Sequence, residues 1–478
     1  MLWQPDAARA ADTAMWRCMA GRGLGDYHEL HRWSVEHLDA FWADLADFCG
    51  VKFHPPASLV LEHPDAMPGA RWFVGARLNY AENLLRHPGD RSAMVFRSET
   101  GARRELNFDE LRGAVAACAA GLREAGVGQG DRVAGMLPNC PEAIIAMLAT
   151  ASLGAVWTSC SPDFGASAVV DRFGQACPKV LFCANGYRYN GKRIDCWPTI
   201  ETVLGQVNSI ESAVWFEFLD ADFGGARREP LRHWSEFCRP GAPLEFTPVA
   251  FDDPLFILYS SGTTGPPKCI VHGVGGALLQ HLKEHQLHTD IGEHDRLFYF
   301  TTCGWMMWNW LASGLASGAT LLLYDGSPMA DDGRVLWEIA EQERLTVFGT
   351  SPGYLSALQK SGLRPGRDFD LSSLRCLLST GAPLGPATFD YVYESVAKDI
   401  QLASISGGTD LLGCFALGNP ILPVRRGELQ CLGLGMAVEI FNDAGEPVQG
   451  EVGNLVCTRP FPSMPLGFWN DPDDRKYR

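Results

Sequence analysis

The sequence predicts an α/β protein: two sheet-and-helix subdomains, a helical cap before them and a small β-rich unit after them. Three observations carry this. From Arg132 onward, short apolar runs alternate with stretches of helical period, the pattern of parallel strands covered by helices. The first sixty or so residues carry helical spacing only. After about residue 420, brief strands are separated by turn residues. A chain of 478 residues is also longer than one hydrophobic core ordinarily organises. The expected division is therefore a cap over 1–65, a core of paired α/β subdomains over 66–420, and a barrel-like β subdomain over 421–478.

In the cap, Val35, Leu38, Phe41, Trp42, Leu45 and Phe48 share one helical face after Ser34, and Gly50 ends the run. In the core, RVAGML reads as a buried strand, Pro141 opens the helix PEAIIAMLATASLG, and AVWTS is the next strand. The alternation continues through VLFCA, through LFILYSS leading to a helix near ALLQHLKEHQLH, and through LTVFGTS with YLSALQKSG. Residues 297–324 carry no charge and are long enough to cross a bilayer. They divide, however, into the strand LFYFTTC, a break at Gly304, the helix WMMWNWLASGLASG and the run ATLLLY, without Lys/Arg asymmetry at the edges. A buried strand–helix–strand unit explains them, and no membrane span is expected. Residues 220–248, rich in Pro, Arg, Gly and charge, read as an exposed connection. ELQCLG, AVEIFNDAGEPV and GNLVCTR, with turns at Asp443, Gly445 and Gly450, form the late strands.

Composition narrows the function. A formal net charge of −16 argues against a general nucleic-acid binder, since no basic stripe could displace counterions from a phosphate backbone. Fifteen cysteines without a C-x-x-C pair suit reduced thiols filling a core, and a cytoplasmic setting, better than disulfides or a zinc ribbon. The start MLWQPDAARAADTAMW has neither the basic nor the apolar region of a secretory signal. Nothing in the pattern sets an oligomeric state.

The most informative stretch is YSSGTTGPPKCIVHG, residues 259–273. Small residues let successive backbone N–H groups converge on one anion, hydroxyls add donors, and a lysine adds a point charge. A polyphosphate is the natural guest. The stretch is not a Walker A loop, because Lys268 follows Pro267 and precedes Cys269. Instead, SSGTTGPPK resembles the phosphate loop of the acyl-adenylate-forming superfamily of acyl-CoA synthetases and related ligases. STGAPL at 379–384 resembles that family's adenine-contacting segment, SGGTD at 406–410 its aromatic-Gly-x-Thr-Glu motif, and GEVGNLVCTRP with GFWNDP its late strands. The likeness runs from about Trp72 to the last residue. TTCGWMMWNW, SISGGTDLLG and PFPSMPLGFWNDP, with the helical cap, point to the branch of the family that activates acetoacetate.

The resemblance implies the large N-terminal portion of the adenylate-forming fold and a set of roles. Ser260, Ser261, Gly262, Thr263, Thr264, Gly265 and Lys268 wrap the ATP phosphates. Gly381, Ala382 and Pro383 line the adenine, and Thr409 holds the α-phosphate. Asp410 stands where the family has Glu, the Mg²⁺ residue, and its shorter carboxylate still ligates a hard cation. Trp305, Met306, Met307 and Thr380 wall the acyl pocket, and Gly407 replaces the bulky Trp that closes it in acetate-activating members. Acetoacetate then fits better than acetate, with butyrate-like acids comparable by volume; Met306 and Met307 can equally be ordinary core. Arg188, with Lys192 or Arg193, in GYRYNGKR is implied in binding CoA. ATP, Mg²⁺ and CoA are substrates or co-substrates, and no tightly bound prosthetic group is expected. The family carries a small C-terminal domain, with an adenylation lysine, beyond the late strands. That domain is absent from this sequence, which implies ATP binding with weakened adenylation by these 478 residues alone.

Three rival readings come from other motifs. HLKEH at 281–285 matches the H-x-x-E-H pattern of a zinc metallopeptidase, with His288 a turn further on. GTSPG at 349–353 matches a serine-hydrolase elbow, although Pro352 lacks the N–H that an oxyanion hole needs. A non-catalytic nucleotide-binding module is the third.

Overall fold

The structure is a computed structural model that describes residues 1–219, 231–260 and 265–477. Two large sheets dominate it. The first has eight strands in the order Leu231–His233, Ser212–Phe216, Val180–Ala184, Arg132–Met136, Val156–Cys160, Pro254–Ser260, Lys268–Gly273 and Gly467–Phe468. The first six run parallel; the last two are antiparallel additions. The second sheet has seven strands: Gln401–Ser404, Cys376–Ser379, Val347–Thr350, Arg296–Tyr299, Thr320–Asp325, Ser92–Ser98 and Arg103–Asn107. All are parallel except the last, which returns from Ser92–Ser98 as a hairpin.

Local signals set the helices between these strands. Phe108–Glu124 starts at a capping box in which Asn107 and Glu110 satisfy each other's backbone N–H groups. Pro141–Ser152 begins with proline at its first turn and is buried on nearly every side, as its apolar run Ala143–Ala149 requires. The uncharged segment 297–324 is the expected buried unit: parallel strands Arg296–Tyr299 and Thr320–Asp325 flank the fully buried helix Met306–Ser313. Among the described residues, no helix is long and apolar enough to cross a membrane. All fifteen cysteines are free and most are buried.

Several expectations need correction. LFILYSS does not lead directly to a helix. Its strand, Pro254–Ser260, pairs antiparallel with Lys268–Gly273 from Ser260 opposite Lys268, and the helix Val274–Leu282 follows only afterwards. The late β unit is not barrel-like: among the described residues, its Cys431–Leu432 joins Ser406–Gly408 and Gly413–Leu417 of the preceding core in a three-stranded sheet, Val438–Phe441 pairs separately with Asn454–Cys457, and Gly467–Phe468 joins the first large sheet. Residues 231–248 are not simply a connection, since Leu231–His233 extends the first sheet and Phe237 is buried; 220–230 lie outside the described residues.

The cap holds the helices Ala7–Ala11, Ala14–Ala20, Tyr27–Glu36 and Leu38–Phe48, and the face read as one helix is divided between the last two. Tyr27–Glu36 ends at His37, and Leu38–Phe48 starts there. Leu38, Phe41, Trp42 and Leu45 are buried, but Phe48 is 41% exposed and Val35 belongs to the preceding helix. Ser34 is no cap: its Oγ accepts from Gly435 N at 2.9 Å and donates to His31 O at 2.7 Å. The cap thereby fastens onto the late part of the chain, as Tyr27 Oη to Leu432 O (2.5 Å) and Trp3 pairing with Val424 also do.

Candidate active site

In parallel α/β sheets, ligand sites form outside the carboxyl ends of the strands. Those ends bring the predicted motifs together. Tyr299 leads to the turn 301–305, Thr350 to Ser351, Ser379 to the STGAPL segment, and Ser404 to the SGGTD strand. From the other sheet come the ends of Val156–Cys160 and Pro254–Ser260.

The turn before Met306 is clamped between the sheets. Ser159 Oγ donates to Cys303 O at 2.6 Å, Cys303 Sγ reaches Pro138 O at 3.4 Å, and a Cβ on Gly304 would lie 3.0 Å from Ser161 N. Trp305 is therefore fixed, half-buried, with its ring edge-on to Tyr299 at 6.2 Å. Gly381 comes against it: φ is +97°, and a Cβ there would sit 3.5 Å from the Trp305 indole. Gly381, Ala382 and Pro383 are exposed. Thr380 is buried and donates its hydroxyl to Ile405 O at 2.9 Å, which ties the segment to the SGGTD strand. Met306 and Met307 are buried in the main core and belong to it at least as much as to a pocket wall.

Gly407 corrects the volume argument. It lies at a bulge in the pairing of Ser406–Gly408 with Gly413–Leu417, and its missing Cβ would stand 2.1 Å from Gly413 O and 2.8 Å from Cys414 Cα. The absent side chain points into backbone rather than into an acid-sized space, so close strand approach requires the glycine here. Thr409 is half-buried and Asp410 exposed at the turn that follows. Among the described residues, no hydrogen bond or ion pair reaches the Asp410 carboxylate.

Of SSGTTGPPK, Ser261, Gly262, Thr263 and Thr264 lie outside the described residues. Ser260 is half-buried and pairs in register with Lys268, which opens the return strand; Gly265 and Lys268 are exposed. Lys268 Nζ lies over the Phe468 ring at 5.3 Å. On the same strand, His272 is fully buried and donates from Nε2 to Thr409 O at 2.8 Å. Burial pushes its pKa down to about 4, so it is neutral at physiological pH.

GYRYNGKR is a hairpin, Gly186–Tyr189 with Lys192–Asp195, turning at Asn190 and Gly191 with positive φ at both. Arg188 and Arg193 are cross-strand partners on one face, while Lys192 faces Tyr189 on the other. The turn donates Asn190 N to Glu99 Oε2 at 2.7 Å, and Gly191 N also donates to Glu99. Arg188 lines a cavity of about 380 Å³ together with Asp325, Arg103, Arg104 and Phe218.

The rival motifs are absorbed by structure. His281 is bonded through both ring nitrogens, Nδ1 with Ser313 Oγ (2.6 Å) and Nε2 with Leu412 O (3.0 Å). Glu284 accepts from Cys414 N (2.7 Å), Gln280 Nε2 (2.8 Å) and Trp310 Nε1 (2.9 Å). Among the described residues, no three His, Cys, Asp or Glu side chains group to hold a metal ion. Ser351 caps the helix Pro352–Ser361, its Oγ accepting from Tyr354 N at 3.3 Å. His272 and Glu284 were not legible as site residues. The only signal for Glu284 is the H-x-x-E-H spacing that reads as a zinc motif, and His272 carries none.

Known proteins match this arrangement. The AMP-binding enzyme family matches residues 80–469, and the acetyl-coenzyme A synthetase N-terminus matches residues 27–84. The acetoacetyl-coenzyme A synthetase of Rhizobium meliloti (strain 1021) is 53% identical over 463 residues, 96% of this chain and 70% of that protein. The acetoacetyl-CoA synthetase of Mus musculus is 42% identical over 494 residues, 100% of this chain and 73% of that protein. The solved structure of acetoacetyl-CoA synthetase from Streptomyces lividans superposes with a TM-score of 0.95 at 45% identity, covering 100% of this chain and 75% of that one. With a family match spanning most of its length, the chain belongs to the AMP-binding enzyme family.

Proposed function

We propose that this chain is an ATP-dependent acid–thiol ligase that converts acetoacetate and coenzyme A to acetoacetyl-CoA, with acetoacetyl-AMP as intermediate and AMP and pyrophosphate as co-products. The single observation that carries the reading is convergence. Lys268, Trp305, Gly381 and Thr409 are spread over more than 140 residues of sequence, yet a side chain at Gly381 would meet the Trp305 ring and Thr409 is bonded to the strand that carries Lys268. The relatives named acetoacetyl-CoA synthetase support acetoacetate as the acid.

A carboxylate cannot acylate a thiol directly, because the departing oxygen would carry prohibitive charge. One of its oxygens attacks the α-phosphorus of ATP, forming the mixed anhydride as the bond to pyrophosphate breaks; the CoA sulfur then attacks the acyl carbon and AMP leaves. Catalysis is positional and electrostatic. In this reading the SSGTTGPPK stretch with its Lys268 holds the departing pyrophosphate, Thr409 the α-phosphate, and Gly381, Ala382 and Pro383 the adenine. Trp305, Met306, Met307 and Thr380 bound the acid. Mg²⁺ arrives with ATP and supplies neutralisation of phosphate charge. The exposed Asp410 carboxylate, a hard oxygen donor with no protein partner among the described residues, suits an ion that is shared with substrate phosphates and water. Arg188 with Arg193 receives a phosphate of CoA. We place the reaction in the cytoplasm, with small-molecule partners and no nucleic acid.

The test is acid-dependent AMP formation with CoA across acetoacetate, acetate, butyrate and 3-hydroxybutyrate. Acetoacetate is expected to lead. Equal rates with acetate overturn the substrate, and no uptake of Mg·ATP overturns the ligase.

A further inference from the structure

Residues 268–288 form one continuous arm: the return strand Lys268–Gly273, the helix Val274–Leu282 and the π-helical turn Lys283–His288. Four buried side chains of this arm hold backbone groups of residues 409–418 in chain order. His272 Nε2 holds Thr409 O (2.8 Å), His281 Nε2 holds Leu412 O (3.0 Å), Glu284 Oε1 accepts from Cys414 N (2.7 Å), and His288 Nδ1 holds Gly418 O (2.9 Å). None of the four is more than 1% exposed. The four lie on the strand, the helix and the π-turn of the arm in turn, yet all are spent on one neighbouring segment; a buried polar group left unpaired costs more than its bond returns, so each of these pairings is needed.

The order matters. Side chains alternate along a strand, so His272 lies on the same face as Lys268. The segment it grips starts at Thr409 and carries Asp410 next to it. The arm therefore links the side of the site that holds the lysine to the side that holds the threonine and the carboxylate.

We infer that His272 is a positioning residue: its hydrogen bond to the Thr409 carbonyl sets the Thr409–Asp410 turn against the Lys268 strand, so that the nucleotide phosphates and their cation meet both at once. The inference rests on the proposed ATP site. His272 itself does not touch the nucleotide. Its imidazole acts through one main-chain oxygen, and the remaining three grips keep that segment from shifting along the arm.

The experiment compares His272→Phe and His272→Leu, which remove the donor, with His272→Gln, whose amide N–H replaces it. Calorimetry gives Mg·ATP affinity, and thermal unfolding is read in parallel. Wild type binding Mg·ATP is the baseline, and its failure strikes the proposed function rather than this inference. With that baseline, Phe and Leu are expected to weaken Mg·ATP by about tenfold, the worth of one buried hydrogen bond. Gln is expected to restore most of the loss, while adenosine, which lacks phosphates, binds all four proteins alike. Equal Mg·ATP affinity in folded Phe or Leu variants overturns the inference, as does a Gln variant no better than Leu. Should both apolar variants unfold, imidazole ¹⁵N spectra of the wild type decide. An Nε2–H tautomer whose signal moves on saturation with Mg·ATP supports the role; an Nδ1–H tautomer, or an unmoved signal, overturns it.

Discussion

At the scale of single residues, two positions separate what a side chain reaches from what its place in a motif suggests. Gly407 sits 2.1 Å, at its absent Cβ, from Gly413 O. Gly407→Ala is therefore expected to destabilise the fold by about 1–3 kcal/mol through forced backbone movement, read as a lower urea midpoint. An Ala variant as stable as wild type with altered acid preference would return the position to the pocket. Asp410 is the opposite case, exposed and without a partner among the described residues. Asp410→Asn is expected to leave stability within about 0.5 kcal/mol, while Mg·ATP affinity falls and its dependence on Mg²⁺ flattens in calorimetric titration. An unchanged Mg²⁺ dependence would remove Asp410 from the site.

At the scale of elements, the arm that starts at Lys268 shows how a motif changes meaning with its surroundings. HLKEH has the spacing of a zinc helix, but the helix gives way to a π-turn at Lys283, and His281 and Glu284 are spent on backbone and neighbouring side chains, while His285 is buried edge-on to Trp310 with neither ring nitrogen hydrogen-bonded among the described residues. Glu284 faces only donors: two N–H groups, an indole and the Cys414 thiol at 3.3 Å. Burial pushes its pKa up, against the pull of Lys283 and these donors. Glu284→Gln turns an amide N–H toward other donors, and a loss of about 2–4 kcal/mol is expected, measured by chemical denaturation. A near-neutral Gln variant would show that the four contacts are not simultaneous.

At the scale of the whole molecule, the two sheets and the cap respond to different perturbations. Asp325 ends a strand of the second sheet in the cavity shared with Arg188, and burial raises its pKa from 3.8 to about 7 despite an opposing hydrogen bond from Asn139. A carboxyl with a raised folded value binds its proton more tightly when folded. The stability it contributes is present below pH 4 and is lost as pH rises through 7. Asp325→Asn is thus expected to flatten the stability profile between pH 4 and 7 and to exceed wild type above it, by thermal unfolding across that range. Trp42, fully buried between cap and core and edge-on to Trp72 at 6.1 Å, tests the cap. Trp42→Ala is expected to cost about 3–5 kcal/mol in a single cooperative transition. A separate early transition would mean that the cap unfolds alone.

The sequence by itself determined the strand–helix alternation, the buried unit at 297–324 and the motif segments, because period and turn chemistry are local and survive in any neighbourhood. Glycine density alone also marked SSGTTGPPK as special. Only tertiary structure decided that the strand after Ser260 doubles back, that the cap helices break at His37 and grip the late segment, and that the late strands are shared among separate sheets. It also decided why Gly407 is glycine and what His272, His281 and Glu284 hold. The reason is physical: each of these depends on a partner more than 100 residues away or on the exact approach of two backbones, and neither distance nor clash is written in the order of residues along one chain.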